Sequence, residues 1–151
     1  MEFNKIHLQM IIDKTFPYDN KQIKSTTDVV NLINEIENID KLAEETIFLI
    51  CLDSSNNIIS YSEIAKGGNN LCGFDLRALF KRVLLCNATK FILVHNHPSG
   101  NTKPSAADLA STVELQDSAL LMRITFLDHI ILGSNNNFCS CMSVLKDREK
   151  N

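Results

Sequence analysis

Apolar and polar positions along the chain follow two different periods. "TIFLICLD", Thr46 to Asp53, is short, β-branched and almost wholly apolar, which predicts a strand covered on both faces. After the turn "SSNN", "IISYSEIA" predicts a second strand paired with the first as a hairpin. "KFILVH" and "RITFLDHIIL" predict two more strands, and "NNNFCSCMSVL" a turn and a last short strand. Residues 3 to 12, mixed and apolar-rich, read as a strand that opens the chain. Helical spacing governs the rest. In "STTDVVNLINEIENI", Thr27 is placed to cap a helix whose Val29, Val30, Ile33 and Ile36 form one stripe. "FDLRALFKRVLLCNA" sets Leu76, Leu79, Phe80, Val83 and Leu84 on one face and Arg77, Lys81 and Arg82 toward water. "SAADLASTVELQDSALL" is a third helix. Tyr18-Asp19-Asn20 reads as a turn, "KGGNN" as a flexible corner and "KDREKN" as a charged, frayed tail. Helices interleaved with buried strands argue for an α/β sandwich around a mixed sheet.

Length and composition narrow the classes of function. A chain of 151 residues suits one domain, 1–151, able to bury a core without disulfide staples. A formal charge of -3 argues against direct nucleic-acid binding. No apolar run is long enough to span a membrane. Met1-Glu2-Phe3-Asn4-Lys5 lacks the basic and apolar regions of a signal peptide, so the expected location is cytoplasmic. The five cysteines, Cys51, Cys72, Cys86, Cys139 and Cys141, contain no C-x-x-C pair. A cysteine-rich zinc knuckle and a thioredoxin motif are therefore excluded, and reduced thiols are expected.

Chemistry concentrates in "VHNHPSGNTKPSAAD", Val94 to Asp108. In a strand, residues i and i+2 point the same way, so His95 and His97 project together where the chain leaves the sheet. Two imidazoles aimed at one point suit zinc, which takes about four ligands and in catalytic sites keeps one position for water. Asp108, at the start of the following helix, is the candidate third ligand. It also has a purely structural reading: Ser105 lies three residues before it, a capping-box spacing with Asp in place of Glu. "NHPSG" alone reads as a turn. Asp128 and His129 face opposite sides of a strand and make a poor joint ligand set, so a structural role is expected for His129, and His7 reads as a polar strand position.

"HNHPSG" followed by "PSAAD" resembles the JAMM (JAB/MPN) metalloprotease signature, H-x-H then S-x-x-D, and most closely the RadC family. "ETIFLICLDSSNNII", "LFKRVLLCNATKFILVHNHPSG" and "LDHIILG" resemble RadC segments in the same order, over about residues 25–143, with 144–151 left as tail. The resemblance implies a cytidine-deaminase-like three-layer α/β/α sandwich. It implies one Zn²⁺ per chain, held by His95, His97 and Asp108. It also implies metallopeptidase-type chemistry on a peptide or isopeptide. Catalytic roles are implied for Glu45, as the general base ahead of "TIFLICLD", and for Ser105, on the oxyanion. Glu44 competes with Glu45 for the first role. Departures are visible. The chain has no room for the helix-hairpin-helix-like region of longer RadC proteins. Leu76-Arg77-Ala78 stands where the family often has Pro-Arg-Glu, and Phe138 is the candidate for its usual late aromatic.

The alternative is a non-enzymatic zinc-binding module with the DNA-repair or mobile-element association that the RadC label carries. A base deaminase would use H-x-E with P-C-x-x-C, which is missing here. An HNH nuclease spreads its residues over a ββα unit, so the adjacent letters "HNH" are coincidence. Exposed edges of a small mixed sheet are compatible with a homodimer.

Overall fold

The all-apolar run after Glu45 becomes β1 (Thr46–Leu52), buried at every position. It turns at Asp53–Asn57, where the Asp53 carboxylate accepts from the Ser55 and Asn57 N–H groups at 2.8 Å, and returns as β2 (Ile58–Lys66). The computed structural model describes residues 1–7, 9–18, 22–67 and 74–150. Its other strands are β3 (Lys90–Asn96), β4 (Thr125–Leu132) and β5 (Phe138–Ser140). Its helices are α1 (Thr26–Glu37), α2 (Leu76–Leu85), α3 (Ala106–Leu121) and α4 (Cys141–Glu149). The sheet runs β2-β1-β3-β4-β5, with β3 and β4 parallel and every other neighbour antiparallel.

Strand alternation sends side chains into two cores. Phe48, Ile50, Leu52, Ile92, Val94, Ile130 and Leu132 meet Val29, Val30, Leu32 and Ile33 of α1 on one face. Ile47, Leu49, Cys51, Phe91, Leu93 and Phe126 meet α2 and α3 on the other, through Leu79, Phe80, Val83, Leu115 and Ala119. Cys141 of α4 joins Leu109 and Ile131. The result is the expected α/β/α sandwich around a mixed sheet. A register shift between Phe91 and Ile92, where β4 carries Leu127 as an extra residue, pairs Leu93 with His129.

Several local expectations are corrected. The described residues among 3–12 form no strand. Phe3, Ile6, Ile11 and Ile12 are exposed, so apolar composition alone did not order a strand here. The cap of α1 is Ser25, not Thr27. Ser25 Oγ accepts from the Asp28 N–H, and the Asp28 carboxylate accepts from the Ser25 N–H, so Thr27 already lies in the first turn. Leu84 is 58% exposed, at the margin of the α2 stripe. The expected last short strand is β5, but it ends at Ser140, and Cys141 to Glu149, most of the tail included, form α4 rather than fraying. Cys141, Val144 and Leu145 have helical spacing and pack together against Leu109 and Ile131. Asp128 accepts from the Ser140 hydroxyl and the Met142 N–H, fixing the start of that helix. Among the described residues, four cysteines are free thiols. Asp19, Asn20, Cys72 and most of "KGGNN" lie outside the described residues, and no described helix is long and apolar enough to cross a membrane.

Candidate metal centre

The parity of two neighbouring strands builds the site. His95 shares the face of Phe91 and Leu93, and the pairing of Ile47 with His95 sets the approach to β1 beside the end of β3. Glu45, two residues before Ile47, therefore comes to the same face as His95 and His97. The N-terminus of α3 faces them with Asp108 in its first turn.

The four side chains converge. The Nε2 atoms of His95 and His97 are 3.1 Å apart. Glu45 Oε1 stands 3.7 Å from the first and 3.6 Å from the second. Asp108 Oδ1 is 3.5 Å from His95 Nε2, and Oδ2 is 3.7 Å from His97 Nε2. One donor atom from each of Glu45, His95 and His97 falls within a 4.8 Å sphere of mutual distance, so these three could hold a metal ion. A tetrahedral centre with bonds of about 2.0–2.1 Å has edges of about 3.3–3.4 Å. The separations observed, 3.1 to 3.7 Å, bracket that value.

Hydrogen bonds decide which ring nitrogens carry protons. His97 Nδ1 lies 2.6 Å from the Asn101 carbonyl, which can only accept, so Nδ1 is the protonated nitrogen. For His95 the assignment runs through two further side chains. The Thr112 hydroxyl donates to the Asp108 carbonyl at 2.7 Å. It must then accept from His129 Nδ1, also at 2.7 Å. His129 Nε2 is left to accept from His95 Nδ1 at 2.8 Å. Both site histidines thus present bare Nε2 lone pairs toward each other, and a positive charge has to sit between them. A metal ion fits that donor set.

Electrostatics treat the two histidines differently. Burial, then the neighbouring His129, hold His95 well below the ordinary histidine value. Burial takes His129 down to about 4. Asp108 raises His97 above its ordinary value against the effect of burial. Burial opposes ionisation of Asp108, yet His97, Ser105 and His95 together hold its carboxyl below the usual range. Burial raises the Glu45 carboxyl.

The candidate site residues each have a definite place. His95, His97, Asp108 and Glu45 are brought together. Glu44 is not: its carboxylate oxygen points at Gly67, 3.3 Å from where a Cβ would stand there. Ser105 caps α3, its Oγ accepting from the Asp108 N–H at 3.1 Å while its own N–H donates to Asp108 Oδ2 at 2.6 Å. Capping and convergence coexist because Asp108 Oδ1 still faces His95. His129 is buried, and its ring joins His95 to Thr112. What the sequence reading passed over is that pair. The signal was present in His129 itself, a histidine inside an apolar strand, but its target lies 34 residues away.

Comparison with known proteins points the same way. Residues 23–148 match the model of the RadC-like JAB domain. A UPF0758 protein of Clostridium perfringens is 37% identical over 114 residues, 76% of this chain and 49% of that protein. One from Haemophilus influenzae is 34% identical over 139 residues, 87% of this chain and 61% of that protein. One from Staphylococcus aureus is 37% identical over 119 residues, 78% and 51% respectively. The chain spans between about half and three fifths of these relatives' length. With the sheet order, the convergent histidines and a match over most of its length, this chain belongs to the RadC-like JAB domain family.

Proposed function

We propose that the domain is a zinc-dependent amide hydrolase of the metallopeptidase or isopeptidase type, with one zinc held by His95, His97 and Asp108. The observation that carries this reading is the pair of bare Nε2 atoms 3.1 Å apart beside two carboxylates. Zinc in such a site lowers the pKa of a water molecule to about 7 and polarises a carbonyl oxygen.

Glu45 is the general base in this reading. Its carboxylate lies 3.6–3.7 Å from both ring nitrogens, and its side chain is 21% exposed, so it reaches both the cluster and incoming solvent. Burial raises its pKa, which suits a group that takes a proton from water and returns it to the departing amine. Ser105 gives a lone pair to the Asp108 N–H and keeps its own hydroxyl proton to donate toward a developing oxyanion.

The test compares Glu45→Gln with Glu44→Gln on linear peptides and lysine-linked isopeptides. Glu45→Gln, filled at saturating zinc, is expected to lose about 10²–10⁴ in kcat. Glu44→Gln should stay within about threefold, since its side chain faces away from the cluster. A Glu45→Gln protein that cleaves at the wild-type rate removes Glu45 from the mechanism.

A further inference from the structure

The residue between the two histidines is Asn96, and alternation turns its side chain away from theirs. It is 2% exposed. The β1–β3 ladder ends at the pairing of Ile47 with His95. One step further, the Thr46 N–H is taken by a side chain in place of backbone, donating to Asn96 Oδ1 at 2.8 Å. Asn96 Nδ2 donates to the Glu44 carbonyl at 3.2 Å and to the Leu42 carbonyl at 3.3 Å. One hydrogen bond accepted from an N–H and two donated to carbonyls fix the orientation of the amide.

The Glu44 carbonyl belongs to the peptide before Glu45, and the Thr46 N–H to the peptide after it. A single buried amide thus grips both peptide groups that bracket Glu45. The Glu45 carbonyl is tied separately, accepting from the Gly67 N–H at 2.9 Å. No other side chain type of this size supplies the same set. Aspartate has no donor and would set a charge against two carbonyls. Alanine would leave the fully buried Thr46 N–H without its acceptor.

We infer that Asn96 is a positioning residue, whose clamp on the Leu42–Thr46 segment sets where the Glu45 carboxylate stands relative to His95 and His97. The inference rests on the proposed metal site and adds a residue to its machinery. The H-x-H spacing then does two tasks on opposite faces of β3. The histidines aim at the cluster, and the residue between them places the carboxylate that completes it. Sites of this kind need their groups held within about 0.5 Å, which one side-chain amide fixed by three hydrogen bonds can supply.

The test is a double-mutant cycle read as zinc affinity, by competition with a chromophoric chelator. Glu45→Gln removes a negative charge 3.6–3.7 Å from both ring nitrogens and is expected to weaken zinc about 10-fold. Asn96→Ala should weaken zinc by a similar factor, and by less than about threefold when Glu45 is already Gln. Equal losses in both backgrounds, or no loss in either, overturn the positioning role while leaving the metal site standing. A wild-type chain that takes no zinc overturns the metal site and this inference together. Should Asn96→Ala fail to fold, Asn96→Ser carries the same cycle. With it goes amide hydrogen exchange in the metal-free protein, where Thr46 should exchange at least about 10-fold faster while Leu93 does not change. An unchanged Thr46 rate also overturns the role.

Discussion

His95 and His97 face each other through unprotonated Nε2 atoms because each has given its Nδ1 proton to a different part of the molecule. His97 spends its proton locally, on the Asn101 carbonyl of the loop that follows it. His95 spends its own on His129, which is held in turn by Thr112 of α3. Two rings on one strand are thereby fixed in the same tautomer from opposite directions, one by a loop and one by the sheet and a helix.

That relay makes His129 and Thr112 responsible for a ligand neither touches the cluster to form. His129→Ala leaves His95 Nδ1 without its acceptor, and zinc affinity should fall about 10–100-fold. Thr112→Val keeps the volume but removes the hydroxyl that bridges the Asp108 carbonyl and His129 Nδ1, and should cost about 1–3 kcal/mol of folding stability. Chelator competition and urea unfolding measure the two effects. Wild-type values in both variants would show that the relay orients nothing.

Acid should destabilise the metal-free protein. His95 is held well below 6.5 and His129 near 4, while in the unfolded chain both return to about 6.5. Between those values the unfolded state binds more protons, so this stability is whole above pH 6.5 and is lost as pH falls toward 4. His97 acts in the other sense: its pKa is raised on folding, so its contribution is whole below 6.5 and is lost as pH rises through the folded value. Urea midpoints should therefore drop from pH 7 to pH 4.5, and His129→Leu should flatten the slope. A midpoint that rises on acidification contradicts the buried neutral pair.

Gly133 guards the His97 loop from the end of β4. A Cβ there would stand 2.4 Å from the Gly100 carbonyl oxygen and 2.7 Å from Thr102 Cγ2. The first of these is backbone and cannot swing aside. Gly133→Ala should cost about 1–3 kcal/mol and shift the loop that holds Asn101 on His97, weakening zinc as well. Gly100 has φ +77, and a Cβ there would meet the Ser134 hydroxyl at 2.4 Å, a side chain that can rotate. Its alanine variant carries backbone strain of about 1 kcal/mol. Thermal unfolding with a parallel zinc titration separates the two.

Ser105→Ala removes one half of the capping box at α3. The expected loss is about 1 kcal/mol of stability, read by denaturant unfolding. In the proposed mechanism the same variant also loses turnover, by more than the small change in zinc affinity accounts for. Loss of stability with unchanged kcat would leave Ser105 as a cap alone.

The parts of this architecture legible in sequence were those written in short range. β1 and β3 are continuous apolar runs, and His95 and His97 share a face by strand period alone. Asp108 sits at capping distance from Ser105, whatever else it does. The parts that were hidden depend on distant partners. The bulge at Leu127 decides which residue of β3 meets His129, and no local pattern announces it. The start of α4 is held by Asp128, 12 residues before Ser140, so nothing local showed a helix taking over after β5. Asn96 carried no signal of its own, because its partners, Leu42, Glu44 and Thr46, lie at least 50 residues earlier. The described residues among 3–12 misled in the other direction, having strand-like composition but forming no strand.

The most direct measurement of the central claim is the zinc content of the purified protein after dialysis against added metal, wild type beside His97→Ala. About one zinc per chain in the wild type, lost in His97→Ala while the fold persists by circular dichroism, is the predicted result. No zinc in either protein, or the same content in both, contradicts the reading of His95 and His97 as a metal-binding pair.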